Sequence, residues 1–214
     1  MTPFTCPSSL TIRQVAHCPD LTVKPDLSFV PPIQRRRLSV VQAHTFALAH
    51  ALTQGLPPEQ IRNLPIIFAL HYGEYTLTRR IVHDFQTLSE VSPTRFSTSV
   101  YNAAPGLYSI FTQNTAPYTA IAGGENTTEA GLLEALVTPG LRLWILADEP
   151  CAPDACVIGA LLDDAPDTTA AFSATRLPGS PTAPAVTPAH ALKQFFLLER
   201  PLLQTRTFTL VRNP

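Results

Sequence analysis

The run LPIIFAL, residues 64–70, constrains the fold more than any other stretch of the chain. An apolar run bounded by Pro65 and Gly73 offers no side to water, so it reads as a strand covered on both faces. Upstream, RRRLSVVQAHTFALAHALTQG places Leu38, Val41, Phe46, Ala49 and Leu52 near one face of a helix, with Gly55 at the stop position. Downstream, GEYTLTRRIVHDFQTLSE sets Leu77, Ile81, Phe85 and Leu88 at helical spacing. Helix, buried strand and helix in succession predict α/β organisation with a partly parallel sheet. The rest of the chain extends the pattern. APYTAIAGG reads as a second buried strand, TTEAGLLEALV as a helix, LRLWILAD (141–148) as a third buried strand and CVIGALLDD as a fourth. Residues 1–34 read as short strands broken by prolines, with LTIRQVAH as one of them. Residues 165–189, rich in Pro, Ala, Thr and Ser, read as a loop, PAHALKQFFLLERPLL as a last helix, and TRTFTLVR as a last strand at an edge. There is no internal repeat.

Composition narrows the class. The 214 residues suit one domain with a substantial core, and 45% of them are apolar. Only 14% are charged, well under the usual quarter, which reads equally as apolar surface covered by a partner or as an Ala- and Pro-rich composition with ordinary solubility. A net charge of −1 favours neither nucleic acid nor an anionic membrane. No apolar run approaches the roughly 18 residues of a membrane span. The N-terminus lacks a basic start followed by an apolar block, so the expectation is a cytoplasmic protein. Cys6, Cys18, Cys151 and Cys156 have no histidines at finger-like spacing, and read as free thiols rather than zinc ligands.

Several familiar chemistries are absent. There is no Gly-x-Ser-x-Gly elbow for a serine hydrolase and no Gly-x-Gly-x-x-Gly for a dinucleotide. His71, Tyr72, Gly73 and Glu74 end a buried strand, where α/β proteins place sites. With no third ligand spaced nearby, they read as a hydrogen-bonded histidine and a helix-start acid rather than a metal pair. His44 and His50, six apart, do not share a helix face and read as independent. Arg35, Arg36 and Arg37 lie at a helix start, against the dipole preference, and read as a solvated cluster or a contact for an acidic partner.

Ser92-Pro93, Asn102, Gly106, Ser109-Ile110 and Pro117 run in order into AIAGGENTTEAGLLEA, residues 120–135. Taken with RRRLS, the Gly-Glu at 73–74 and FSTSVYNA, this spacing resembles the β-ketoacyl synthases of the thiolase fold. It is similar, more closely, to the chain-length-factor subunits of bacterial aryl polyene and related type II fatty-acid-like or polyketide pathways. The resemblance covers residues 33–148 best. It implies half of a thiolase-like fold, a mixed, mostly parallel sheet flanked by helices, in a single N-terminal-like domain spanning 1–214. In that register the nucleophilic cysteine position falls on Glu125. A carboxylate is a poor nucleophile towards a thioester, where a thiolate is a good one. The two histidines that the family draws from its second half have only His190 as a counterpart after Glu125. The resemblance therefore implies a chain without catalytic residues, cofactor or metal. It would pair with a full-length ketosynthase, meet the acyl carrier protein through that complex, and set the depth of the acyl tunnel. The implied dimer contacts are Ser97, Ser99, Tyr101 and Asn102, with Tyr118, Thr119, Ala120, Ile121, Ala122 and Gly123. Tyr75, Leu77 and Phe96 are the tunnel-wall candidates. Two rival readings are a priming subunit in which Glu125 assists decarboxylation of malonyl carrier protein, and a small α/β binding or scaffold protein with no acyl substrate. At Glu125 itself, an acid at a helix N-terminus has an electrostatic reason of about 0.3–1 kcal/mol.

Overall fold

The computed structural model describes residues 9–18, 20–148, 156–165, 172–176, 202–204 and 208–212. Among them run β1 (Ser9–Cys18), α1 (Pro32–Arg35), α2 (Val40–Thr53), α3 (Pro58–Arg62), β2 (Ile66–Ala69), α4 (Tyr75–Leu88), α5 (Pro93–Thr98) and α6 (Ala103–Thr112). Then follow β3 (Tyr118–Ile121), a 3₁₀ turn (Gly124–Asn126), α7 (Thr127–Val137), β4 (Arg142–Asp148), β5 (Cys156–Asp163), β6 (Phe172–Arg176), β7 (Leu202–Gln204) and β8 (Phe208–Arg212). No helix among the described residues is long and apolar enough to cross a membrane.

One sheet carries all eight strands, in the order β3-β2-β4-β5-β1-β6-β8-β7. Pairing is parallel in β3-β2-β4, where helices α4–α6 and α7 supply the crossovers. From β4 onward every neighbouring pair is antiparallel. The mixed, helix-flanked sheet is the one expected, but its parallel share is the smaller one, confined to the end that holds the elbow. The covering helices explain the alternation. Ile67, Ala69, Trp144 and Leu146 face one way and pack with Leu132, Ala135 and Leu136 of α7. Ile66, Phe68, Leu143 and Ile145 face the other way and pack with Phe46, Ala49 and Leu52 of α2 and with Tyr108 of α6. All four residues of β2 and all seven of β4 are buried, as a strand between two helical layers requires. Arg142, fully buried at the start of β4, is paired with Asp164 at 2.8 Å, so its charge is not left alone.

Five expectations need correction. The APYTAIAGG strand is not buried: β3 is the end of the sheet, Tyr118 is exposed and Thr119 to Ile121 are half-buried. TRTFTLVR does not form an edge, because β8 pairs with β6 and β7 on its two sides. The loop expected over 165–189 contains β6, which bridges β1 and β8. The arginine cluster precedes helix α2 rather than starting it; Arg35 ends the one-turn helix α1, which begins at Pro32 after Pro31, and Ser39 caps α2. Of the expected last helix, residues 202–203 belong to strand β7, and the remainder lies outside the described residues.

Two glycines let helices approach the sheet. A Cβ on Gly131 of α7 would stand 2.8 Å from the Ala69 Cβ and 2.9 Å from the Trp144 Nε1. A Cβ on Gly159 of β5 would collide with Leu48 and Leu52 of α2. Gly55, by contrast, has nothing within 4 Å. Gly131→Ala is therefore expected to cost about 1–3 kcal/mol through overpacking. Gly55→Ala is expected to be neutral or slightly stabilising. Urea unfolding of the two variants side by side checks both.

Candidate subunit interface

Sequence motifs that lie far apart in the chain meet at one buried amide. Ser39 caps α2 through its Oγ, which accepts from the Gln42 backbone N–H, while Gln42 Oε1 accepts from the Ser39 backbone N–H at 3.1 Å. The Gln42 Nε2 then donates to Glu74 Oε1 and to the Thr98 carbonyl, each at 2.9 Å. The Ser39 hydroxyl also donates to Glu74 Oε1, at 2.9 Å. RRRLS, Gly-Glu and FSTS are thereby joined. Glu74 is a helix-start acid, as expected, standing at the head of α4; it is 4% exposed and anchors α4 to α2, while Gln42 ties α5 to α2 through the Thr98 carbonyl. A second buried carboxylate fixes the strand ends. Asp148 Oδ1 accepts the backbone N–H groups of His71 and Tyr72 at 2.8 and 3.0 Å, tying the end of β4 to the end of β2.

The connections that follow these strand ends hold the surface in question. Gly73 has φ +61°, and the Tyr101 ring covers it; a Cβ there would lie 3.2 Å from the ring. The Tyr101 hydroxyl donates to the His71 carbonyl at 3.4 Å, so the α5–α6 connection rests on the β2–α4 connection. Tyr118 of β3 lays its hydroxyl over Gly106 of α6, 3.2 Å from where a Cβ would sit. The Ser97 and Ser99 hydroxyls donate to the Thr94 and Phe96 carbonyls within their own segment, at 2.9 Å each. Asn102 is exposed at the head of α6. The structure thus links β3, α6, α5 and α4 into one band, with Tyr118 at one end and Tyr101 near the middle.

That band is open to water and apolar. No residue of α4 is buried. Its expected face of Leu77, Ile81, Phe85 and Leu88 is helical and only partly covered: Leu77 and Ile81 are half-buried, while Phe85 is 59% and Leu88 65% exposed. Phe96, Val100, Tyr101, Ile110 and Tyr118 are exposed on the adjoining elements. Of the tunnel-wall candidates, Tyr75 and Phe96 are exposed and Leu77 is half-buried. Tyr75 packs edge-on to Tyr72, lies under Arg79 with 5.6 Å between guanidinium and ring centre, and borders a shallow cavity shared with Arg80, His83 and Asp84.

The β3 edge is oriented for pairing. The Ile66 N–H donates to the Pro117 carbonyl and the Leu70 N–H to the Ile121 carbonyl, so 117, 119 and 121 point their backbone groups at β2. By alternation, Tyr118, Ala120 and Ala122 point theirs outward. Beyond β3 the exposed elbow runs from Ala122 to Asn126. Gly124 takes φ +58°, Thr127 Oγ1 accepts from the Gly123 N–H at 3.0 Å and donates to the Gly124 carbonyl at 2.7 Å, and α7 begins. Glu125 stands on this 3₁₀ turn, exposed, with no hydrogen-bond partner among the described residues. His44 and His50 are independent, as expected. His44 meets Cys18 and the Leu21 carbonyl, while His50 stacks on Phe29 at 3.8 Å. Among the described residues there is no cluster of three metal-binding side chains.

Residues 10–141 match the model of the β-ketoacyl synthase N-terminal domain, and the chain belongs to that family. Among solved structures it is similar to a chain from the complex of a ketosynthase (ApeO) with its chain length factor (ApeC) from Xenorhabdus doucetiae. That match has a TM-score of 0.72 and 16% identity over 95% of this chain and 99% of that one. It is also similar to a chain from a complex in which a type II PKS acyl-carrier protein is bound to its ketosynthase carrying the hexaketide. There the TM-score is 0.57 and the identity 11%, over 80% of this chain and 70% of that one. At these identities what is shared is the fold: this is the thiolase-like fold of the ketosynthases, in a chain whose elbow carries Glu125. No curated protein matches.

Sequence reasoning missed Gln42 and Asp148. The first was findable, since Ser39-x-x-Gln42 is a capping-box spacing. The second had no local signal, because its partners are about 76 residues away. Gln42→Ala is expected to destabilise the protein by about 1–3 kcal/mol, since Glu74 and the Thr98 carbonyl lose a buried donor. Amide exchange at the start of α4 and through α5 should rise more than exchange in β4, which hydrogen-exchange mass spectrometry resolves.

Proposed function

We propose that this chain is a non-catalytic, chain-length-determining subunit. It pairs with a full-length ketosynthase through the β3 edge and shapes that enzyme's acyl tunnel while chains grow on an acyl carrier protein. The observation that carries this reading is the outward edge of β3, bordered by the exposed apolar side chains of α4, α5 and α6. An unpaired strand edge and an apolar band are both costly in water and both favour a protein partner. Two further facts support it. The elbow offers a carboxylate where acyl transfer needs a thiolate. The similar chain matched almost end to end comes from a ketosynthase–chain length factor complex.

In the pair, Tyr118 and Ala120 supply the outward backbone groups for the subunit contact. Ser97, Ser99, Tyr101, Asn102, Thr119, Ile121, Ala122 and Gly123 lie along the same surface. Tyr75, Leu77 and Phe96 bound the tunnel by their bulk. Glu125 has no chemical step; it stands exposed on the 3₁₀ turn before α7.

Co-expression with the full-length ketosynthase is expected to give a co-purifying pair, and Ala120→Pro to abolish it. Proline removes an N–H that points away from β2, so the variant keeps its fold while its edge can no longer pair. Monodisperse wild-type chain that ignores the ketosynthase would overturn the reading. In the reconstituted pair, Phe96→Ala or Tyr75→Ala is expected to shift product length, read by mass spectrometry. Glu125→Ala should leave product yield unchanged; loss of carbon dioxide release from malonyl carrier protein in that variant would instead assign a priming decarboxylase.

A further inference from the structure

A cavity of about 520 Å³ lies between the loop after β1, the one-turn helix α1 and the start of α2. Leu21, Leu27 and Leu38 give it apolar walls, and Lys24, Arg35 and Arg36 line it with three cations. Among the described residues no carboxylate stands in the lining. The acids of the adjoining loop are engaged within it: Asp20 accepts from the Thr22 N–H and hydroxyl, and Asp26 from the Ser28 N–H and hydroxyl. A net charge of −1 for the whole chain thus conceals a local concentration of positive charge.

These cations are uncommitted. Arg13, Arg95 and Arg142 pair with Asp163, Asp84 and Asp164, whereas among the described residues no carboxylate lies within ion-pair distance of Lys24, Arg35 or Arg36. Asp26 acts on Arg35 only at longer range, from an exposed position. Ser39 and Val40 bring the N-terminus of the 14-residue helix α2, the positive end of its dipole, to the same wall. His44 lines the cavity too, but Cys18 and the Leu21 carbonyl occupy its two ring nitrogens, and burial holds it below the ordinary histidine range. It contributes a wall, not a charge. Among the described residues no Phe, Tyr or Trp stands in the lining, so a nucleobase would find nothing to stack on. Val23 and Val40 line the cavity while 61% and 51% exposed, and extend its apolar wall to the solvent. Aliphatic walls with unpaired cations suit an anion that carries an alkyl chain.

We propose that this cavity binds one molecule of an aliphatic phosphate monoester, its phosphate on Lys24, Arg35 and Arg36 and its chain along Leu21, Leu27 and Leu38. A phosphate monoester carries about −1.5 to −2 charges at neutral pH, which three cations match better than they match a single carboxylate. Guanidinium groups meet phosphate oxygens in bidentate pairs, so Arg35 and Arg36 supply geometry as well as charge. The volume falls within the roughly 300–1,000 Å³ of ordinary small-molecule sites. Binding is non-covalent and involves no chemical step. The residues are separate from the β3 edge, so the site does not depend on subunit pairing.

The test titrates the full chain by calorimetry with octyl phosphate, kept below its micelle-forming concentration, beside inorganic phosphate and octyl glucoside. Octyl phosphate is expected to bind once per chain and at least tenfold more tightly than either, since one comparator lacks the chain and the other the charge. Arg36→Ala and Lys24→Ala, both at exposed positions, should each weaken it by about tenfold, the worth of one charged hydrogen bond. Hydrogen-exchange mass spectrometry of the wild-type chain should show protection by octyl phosphate over residues 21–44 and not over 75–98, a comparison independent of any variant's folding. Inorganic phosphate or octyl glucoside binding as tightly, an unchanged affinity in a folded Arg36→Ala variant, or protection confined to 75–98 would overturn the proposal. So would binding to vesicles of phosphatidylcholine with phosphatidic acid but not to octyl phosphate, which would assign the patch to a membrane surface.

Discussion

The side-chain amide of Gln42 is fully buried and makes three hydrogen bonds, one at its oxygen and two at its nitrogen. Its oxygen closes the first turn of α2; its two N–H groups hold the carboxylate that heads α4 and a carbonyl at the end of α5. Nothing else in the described residues joins these three helices so directly. A buried amide of this kind is stable only when all its partners are in place. Three motifs scattered over some sixty residues must therefore arrive together, and the surface they present is fixed as a unit. Asp148 performs the same service at the strand ends, by accepting two backbone donors that would otherwise be left over where β2 stops.

Burial is distributed unevenly on this frame. The sheet centre is sealed by α7 on one side and by α2 and α6 on the other, down to the two glycines that bring helix and sheet into contact. The α4–α5 side has no such cover. The head of α4, the end of α5 and the β2–α4 connection are held by the Gln42 and Tyr101 hydrogen bonds rather than by a hydrophobic core beneath them. An apolar, unburied surface on a backbone fixed in this way favours association, since little backbone ordering is left to be done on binding. The small share of charged residues in the chain belongs to the same account.

Much of this was legible in the sequence, and the failures have physical causes. Val41, Phe46, Ala49 and Leu52 announced α2, and LPIIFAL announced β2, because buried elements must be apolar wherever they are buried. The same reasoning misread β3: Tyr118 to Ile121 look like a core strand because the edge they form is itself apolar, and composition cannot tell a core from an apolar surface. Only the ordered motifs from Ser92 to Pro117, through the resemblance they carry, suggested pairing there. Strand β6 was hidden in a Pro- and Thr-rich stretch because its partners, β1 and β8, are remote in the chain. The helical spacing of Leu77, Ile81, Phe85 and Leu88 was right about conformation and silent about cover. Cys18 and His44 were each visible, but their meeting depends on how β1 lies against α2, which no local pattern encodes.

The backbone groups of Tyr118, Ala120 and Ala122 have one further consequence. Hydrogen-bond donors and acceptors along a strand edge do not discriminate among extended chains; they pair with whatever strand is presented. The apolar band beside them adds adhesion without adding selectivity. A chain in which this edge stays uncovered is thus open to strand-by-strand assembly of the cross-β kind. Whatever covers the edge also decides how the chain behaves in solution.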